Sequence, residues 1–171
     1  MQKIVRQNES ESRNKRYSAT IDKNICEQLE KEVRRINMTV EEKIYEEVKR
    51  RCELPSNAYG IGAWDHHIKI VYELAKKNAS EYGANQEIVS LAALLHDVAS
   101  VTDVTYTEEH HIIGAEIAKE LLLQENYPIE KIEQIKKCIL NHRGSRLASK
   151  NSPEEICIAD SDAMAHFYET L

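Results

Sequence analysis

The chain of 171 residues is poor in glycine (5), proline (3), phenylalanine (1) and tryptophan (1), and no apolar run approaches the length of a membrane span. It carries no Walker-type phosphate loop, no dinucleotide-type glycine loop and no GxSxG elbow. No stretch shows strand-like alternation, no internal repeat is present, and no basic run is interleaved with aromatics as in a nucleic-acid-binding surface. The four cysteines, Cys26, Cys52, Cys138 and Cys157, form no CxxC pair and sit in helical patterns. They read as reduced core or near-core thiols of an intracellular protein, which sets zinc-finger chemistry aside. The N-terminal stretch MQKIVRQNESESRNKR lacks the apolar core of a signal peptide, so a soluble cytoplasmic protein is expected. A formal net charge of -6 disfavours nonspecific binding to nucleic acid or an anionic membrane and points to small partners.

A chain of this length can bury about 70% of the surface its unfolded form exposes. It needs neither a disulfide nor a metal merely to fold, so a metal here would serve function. The sequence predicts an all-α, single-domain helical bundle over residues 20–171, preceded by a polar N-terminal arm over residues 1–19. In the arm, Arg13, Lys15 and Arg16 lie close together among too few apolar residues to anchor a helix. Beyond it, Ile21, Ile25, Leu29, Val33 and Ile36 recur at helical spacing. Thr39 and Glu42 then form a capping-box start for a second helix through Ile44 and Val48.

The run LAALLHDVA, Leu91 to Ala99, is apolar around the whole helical wheel except at His96 and Asp97, so it reads as a helix through the middle of the domain. An imidazole and a carboxylate are tolerated there only when paired or bound to a metal. Successive helix residues point about 100° apart, so both side chains can reach one ion off the helix end. A structural His-Asp hydrogen bond explains the doublet about as well when it is taken alone. Other ionisable residues sit on apolar helices too. LPSNAYGIGAW is a loop that delivers Asp65, His66 and His67, and Gly83 ends the helix that follows. EEHHIIGAEIAKELL opens with His110 and His111, with Gly114 and Ala115 permitting close approach of another helix. The helix opened by Pro128 runs out at Asn141, His142 and Arg143, and ICIADSDAMAHF, after a capping box of Ser152 and Glu155, sets Asp160 and Asp162 among apolar residues.

Read in order, His67, His96-Asp97, His110, His142 and Asp162 form a pattern that resembles the HD-domain metal-dependent phosphohydrolases, over about the last two-thirds of the chain. HIKIV is similar to the first histidine helix of that family, ALLHDVA to its HD helix, HHIIGAEIAKEL to its third histidine with the Gly-Ala packing step, ILNHRG to its fourth motif and IADSDAM to its final aspartate segment. His67 fits better than His66 because Val71 and Ala75 then take the apolar helix positions; His110 fits better than His111 because it stands four before Gly114; Asp162, followed by Ala163 and Met164, fits better than Asp160. Spacing leaves each pair open. The chain departs from the family in Ala99, where a glycine usually follows the HD helix, and in His166, where another acid is common.

The resemblance implies two imidazoles and two carboxylates for one ion, from His67, His96, Asp97 and Asp162, and a second ion held by His110 and His142 with Asp97 as a bridge. Nitrogen and oxygen donors without thiolate suit two divalent transition ions, iron or manganese ahead of zinc, nickel or cobalt. The implied activity is hydrolysis of a phosphate ester or anhydride with metal-activated water as nucleophile, His96 and Asp97 at the reaction centre and Arg143 as a phosphate-binding cation. A nucleotide or dinucleotide polyphosphate is the expected substrate, since the arrangement resembles the bacterial branch that cleaves diadenosine tetraphosphate. The GYP segment of the cyclic-dinucleotide branch is absent, Tyr127-Pro128 being preceded by Asn126. Two alternatives stay open: a metal- or nucleotide-binding regulatory protein that keeps the site without turnover, and a homodimer in which a neighbouring subunit completes the site.

Overall fold

The computed structural model describes residues 23–60, 62–143 and 150–168. The expected polar arm therefore lies outside the described residues. The chain divides into two compact units, Met1–Thr39 and Val40–Leu171. In the first, residues 23–36 form helix α1, on which Ile25, Leu29, Val33 and Ile36 are exposed. Cys26 is exposed there as well, which corrects its expected place in or near a core.

The second unit is all-helical among its described residues. Helix α2 spans Val40–Cys52. A single π-helical turn, Trp64–Ile68, runs straight into α3, Lys69–Tyr82. Gly83 ends α3 at φ 65°, a left-handed value that glycine adopts without Cβ strain. Helix α4 covers Gln86–Leu95 and is started by Asn85, whose side chain accepts from the Glu87 and Ile88 amides. Every residue of α4 from Ile88 to Leu95 is buried, as a sequence apolar on all sides requires. Around it pack α2, α3, α6 (His110–Gln124), α7 (Ile129–Asn141) and α8 (Pro153–Tyr168). Burying each large aliphatic of α4, such as Leu91, Leu94 or Leu95, contributes about 2 kcal/mol.

The expected single helix from Leu91 to Ala99 is interrupted. Helix α4 stops at Leu95, Asp97 takes φ -111° and ψ 17°, and a short α5 resumes over Val98–Thr102. The break turns the Asp97 carboxylate away from the direction that a continuous helix would impose. At the other end of the bundle, the Ser152 hydroxyl accepts from the Glu155 amide, as the capping box predicts. The Glu155 carboxylate is used differently: it is buried and accepts from the Asn141 side chain at 2.7 Å, tying α8 to the end of α7. Cys52, Cys138 and Cys157 are buried free thiols, and burial pushes Cys52 up to about 12 and raises the other two, so they stay protonated.

Candidate metal centre

Five of the six candidate side chains come from an end or a break in a helix. His67 comes from the π-helical turn ahead of α3, His96 and Asp97 from the α4–α5 break, His110 from the first residue of α6, and His142 from the residue after α7. Asp162 alone lies within a helix, α8. π-Turns and helix ends free a side chain from the regular stagger, which is why such positions recur at sites. The six side chains are nearly shut off from solvent, from 0% exposure at His96 to 13% at Asp162.

They form two triads. Donor atoms of His67, His96 and Asp162 lie within 4.8 Å of one another, and so do those of Asp97, His110 and His142. Asp97 joins the two: its Oδ2 is 3.6 Å from His67 Nε2 and 3.5 Å from His96 Nε2, while its Oδ1 is 3.4 Å from His110 Nε2 and 3.8 Å from His142 Nε2. Asp162 Oδ1 stands 3.3 Å from His67 Nε2 and 3.7 Å from His96 Nε2.

Tautomers follow from the backbone. His96 Nδ1 donates to Ala93 O (2.7 Å), His110 Nδ1 to Thr107 O (2.7 Å) and His142 Nδ1 to Ile139 O (2.6 Å), each a carbonyl three residues back. A carbonyl can only accept, so the proton of each neutral ring sits on Nδ1 and Nε2 presents a lone pair inward. His110 Nε2 and His142 Nε2 are then 3.3 Å apart, lone pair towards lone pair, and His67 Nε2 is 3.1 Å from His96 Nε2. Burial lowers the His142 pKa to about 4, the neighbouring His96 adding to the effect against Asp97. For Asp97 burial works to raise the pKa, yet His96, His142, His110 and His67 together hold it below the usual range. Asp162 is also held low: burial opposes, and His67, then His96 and His142, prevail. Carboxylates and imidazoles without thiolate form a donor set that fits divalent metal ions, and each triad could hold one.

For the alternatives that spacing left open, His66 is exposed, whereas His67 enters the cluster. His111 is buried, but its neighbour His110 is the one facing Asp97 and His142. Asp160 is exposed and accepts from Tyr82 OH at 2.7 Å, whereas Asp162 faces His67 and His96. Arg143 follows His142 directly and is half-exposed, with no ion pair to the Asp97 or Asp162 carboxylate.

Two residues at the cluster escaped the sequence-based site. Tyr59 OH donates to Asp97 Oδ2 at 3.2 Å; burial, then the Asp97 charge, raises its pKa and keeps it a donor. Nothing in a glycine-bearing loop 38 residues away signals that contact. His166 Nε2 is 3.5 Å from Asp162 Oδ1, and its ring stacks on His67 with centroids 4.7 Å apart. For His166 the i,i+4 spacing from Asp162 was the available signal.

Comparison with known proteins gives the same region a family. The HD domain matches residues 64–166. Ribonuclease Y of Petrotoga mobilis is 32% identical over 108 residues, 63% of this chain and 19% of that protein. Ribonuclease Y of Thermotoga maritima is 31% identical over 108 residues, again 63% and 19%. An uncharacterised protein of Clostridium beijerinckii is 39% identical over 64 residues, 37% of this chain and 41% of its own length. The chain spans about a fifth of the length of the Ribonuclease Y proteins it matches over 108 residues. No solved structure matches it. The HD match covers more than half of the chain and takes in the π-turn, the α4–α5 break and α8 as far as His166; the chain belongs to the HD-domain superfamily of metal-dependent phosphohydrolases.

Proposed function

We propose that this chain is a two-metal phosphohydrolase that cleaves a phosphate ester or anhydride, with a nucleotide or dinucleotide polyphosphate as substrate. His67, His96 and Asp162 would hold one ion, His110 and His142 the other, and Asp97 would bridge them. The observation that carries the reading is the division of Asp97, whose two oxygens face separate histidine pairs. When bound, two such ions bring a water to ionise near neutral pH and neutralise charge on the phosphoryl oxygens.

The residues themselves do the rest. The Nδ1–H bonds to Ala93, Thr107 and Ile139 fix the rings so that no reorientation accompanies catalysis. Burial keeps His142 unprotonated at neutral pH, so its Nε2 remains available as a donor atom. Tyr59 supports Asp97 from the loop after α2.

A second reading, hydrolysis of an RNA phosphodiester, is favoured by the relatives named Ribonuclease Y. The net charge of -6 weighs against a long polyanion unless a local surface compensates. Purified protein reconstituted with manganese or iron, and incubated with diadenosine tetraphosphate, nucleoside triphosphates, nucleoside monophosphates and an RNA oligonucleotide, separates the two. Phosphate-containing products from the small nucleotides, lost in Asp97→Asn, support the first reading. Shortened RNA with intact nucleotides supports the second. A protein that binds metal and turns over none of them is the regulatory alternative.

A further inference from the structure

Among the described residues that touch the six side chains, two are well exposed. Tyr59 keeps 46% of its surface exposed and the His166 side chain 62%, whereas the four histidines of the cluster are buried. Tyr59 reaches Asp97, which joins the two triads, and His166 reaches Asp162 of the first triad. Tyr59 OH meets Asp97 Oδ2, the oxygen that faces His67 and His96, and not Oδ1, which faces His110 and His142. His166 Nε2 meets Asp162 Oδ1, which stands beside His67 and His96 as well. Two exposed side chains thus reach carboxylate oxygens that face His67 and His96, so a group arriving from solvent beside them meets that part of the cluster.

Neither residue is loosely placed. The Asn57 side chain donates to Cys52 O (2.8 Å) and Gly60 O (3.0 Å) and accepts from the Tyr59 amide (2.9 Å), while the Ala58 amide donates to Ser100 O (3.0 Å). These bonds aim Tyr59 from a loop anchored on α2 and α5. His166 is held by its position one turn beyond Asp162 and by its stack on His67, with the planes 26° apart.

We propose that Tyr59 and His166 are substrate-contacting residues that donate hydrogen bonds to non-bridging oxygens of the incoming phosphoryl group. A phenol and an imidazole N–H are both donors, and a phosphoryl oxygen is an acceptor with charge. Asp97 and Asp162, which they touch in the free protein, hold those donors where a phosphoryl oxygen would take them over. This assignment rests on the phosphohydrolase reading.

The test uses the full chain, loaded with manganese, as wild type, Tyr59→Phe, His166→Phe and the double variant; phenylalanine keeps the ring and removes the donor. Three quantities are read: metal per chain by elemental analysis, the Kd for inorganic phosphate by calorimetry, and KM and kcat on diadenosine tetraphosphate or whichever member of the panel the wild type cleaves. The expected result is unchanged metal, phosphate binding weakened about tenfold in each single variant and about a hundredfold in the double variant, with KM rising in parallel. Unchanged phosphate affinity with metal retained overturns the assignment, and if the wild type still hydrolyses its substrate the phosphohydrolase reading survives. Metal lost in step with phosphate affinity also overturns it, since the residues would then support the metal ligands alone. Weakened phosphate binding in a wild-type background that hydrolyses nothing upholds the contacts and overturns turnover.

Discussion

His110 Nε2 and His142 Nε2 face each other across 3.3 Å, and both rings spend their Nδ1 proton on a backbone carbonyl. Two neutral imidazoles so arranged repel, lone pair against lone pair, and a cation between them and Asp97 removes the conflict. The same reasoning extends through Asp97 to His67 and His96, so the first prediction concerns which side chains control metal content. Asp97→Ala should reduce an initial stoichiometry of about two ions per chain to below one, because both histidine pairs lose the carboxylate oxygen that faces them. His142→Ala should leave about one. Elemental analysis of protein purified without a chelator or a metal-binding tag decides it; equal losses in the two variants would count against a bridging Asp97.

Metal removal should destabilise the fold without unfolding it. The ions would bind only the assembled cluster, and a ligand present at a hundredfold its Kd stabilises by about 2.7 kcal/mol. For a domain of this size that corresponds to a Tm lower by about 5–10 °C in the chelated protein. Thermal melts with and without chelator, followed by manganese add-back, measure it. An unaltered Tm would indicate that no ion was bound.

Glu47, on α2, gives a pH dependence of its own. Hydrogen bonds from Arg50, and then Arg51, outweigh burial and hold its carboxyl at about 2, below the value of 4.5 it has when unfolded. The unfolded chain therefore binds the proton more readily. The stabilisation is fully present above about pH 4.5 and fades as the pH falls towards 2. Glu47→Gln should lower Tm by a few degrees at pH 7, and the gap to wild type should narrow as the pH falls from about 5 towards 2. A gap that stays constant with pH would assign the effect to packing.

Gly114 sets the distance between α6 and its neighbours. A Cβ built on it would stand 3.6 Å from Ile139 Cγ2 and 3.7 Å from both Ala99 Cβ and His96 O, all ordinary contacts. Gly114→Ala should therefore be accepted, with a gain of up to about 1 kcal/mol from helix propensity. Gly114→Val has no such room and pushes on the His96 backbone, so it should lose about 1–3 kcal/mol and part of the bound metal. Denaturant titration alongside metal analysis distinguishes the two substitutions.

The residue types and their local periodicity determined the helical class, the central place of α4 and the set of ionisable groups placed on apolar helices. Those are short-range properties: burial of a helix apolar on every side follows from its own sequence, and so does the cost of a lone carboxylate within it. Only the tertiary structure shows His67 rather than His66, and Asp162 rather than Asp160, turned into the cluster, because neighbours on a turn point about 100° or 200° apart and packing selects the inward one. It also decided the break at Asp97 and the exposure of Cys26. The arrival of Tyr59 beside Asp97 was beyond reach of any local pattern. That contact exists because the loop after α2 is bonded to α5, and contacts between segments far apart in sequence are set by the fold as a whole.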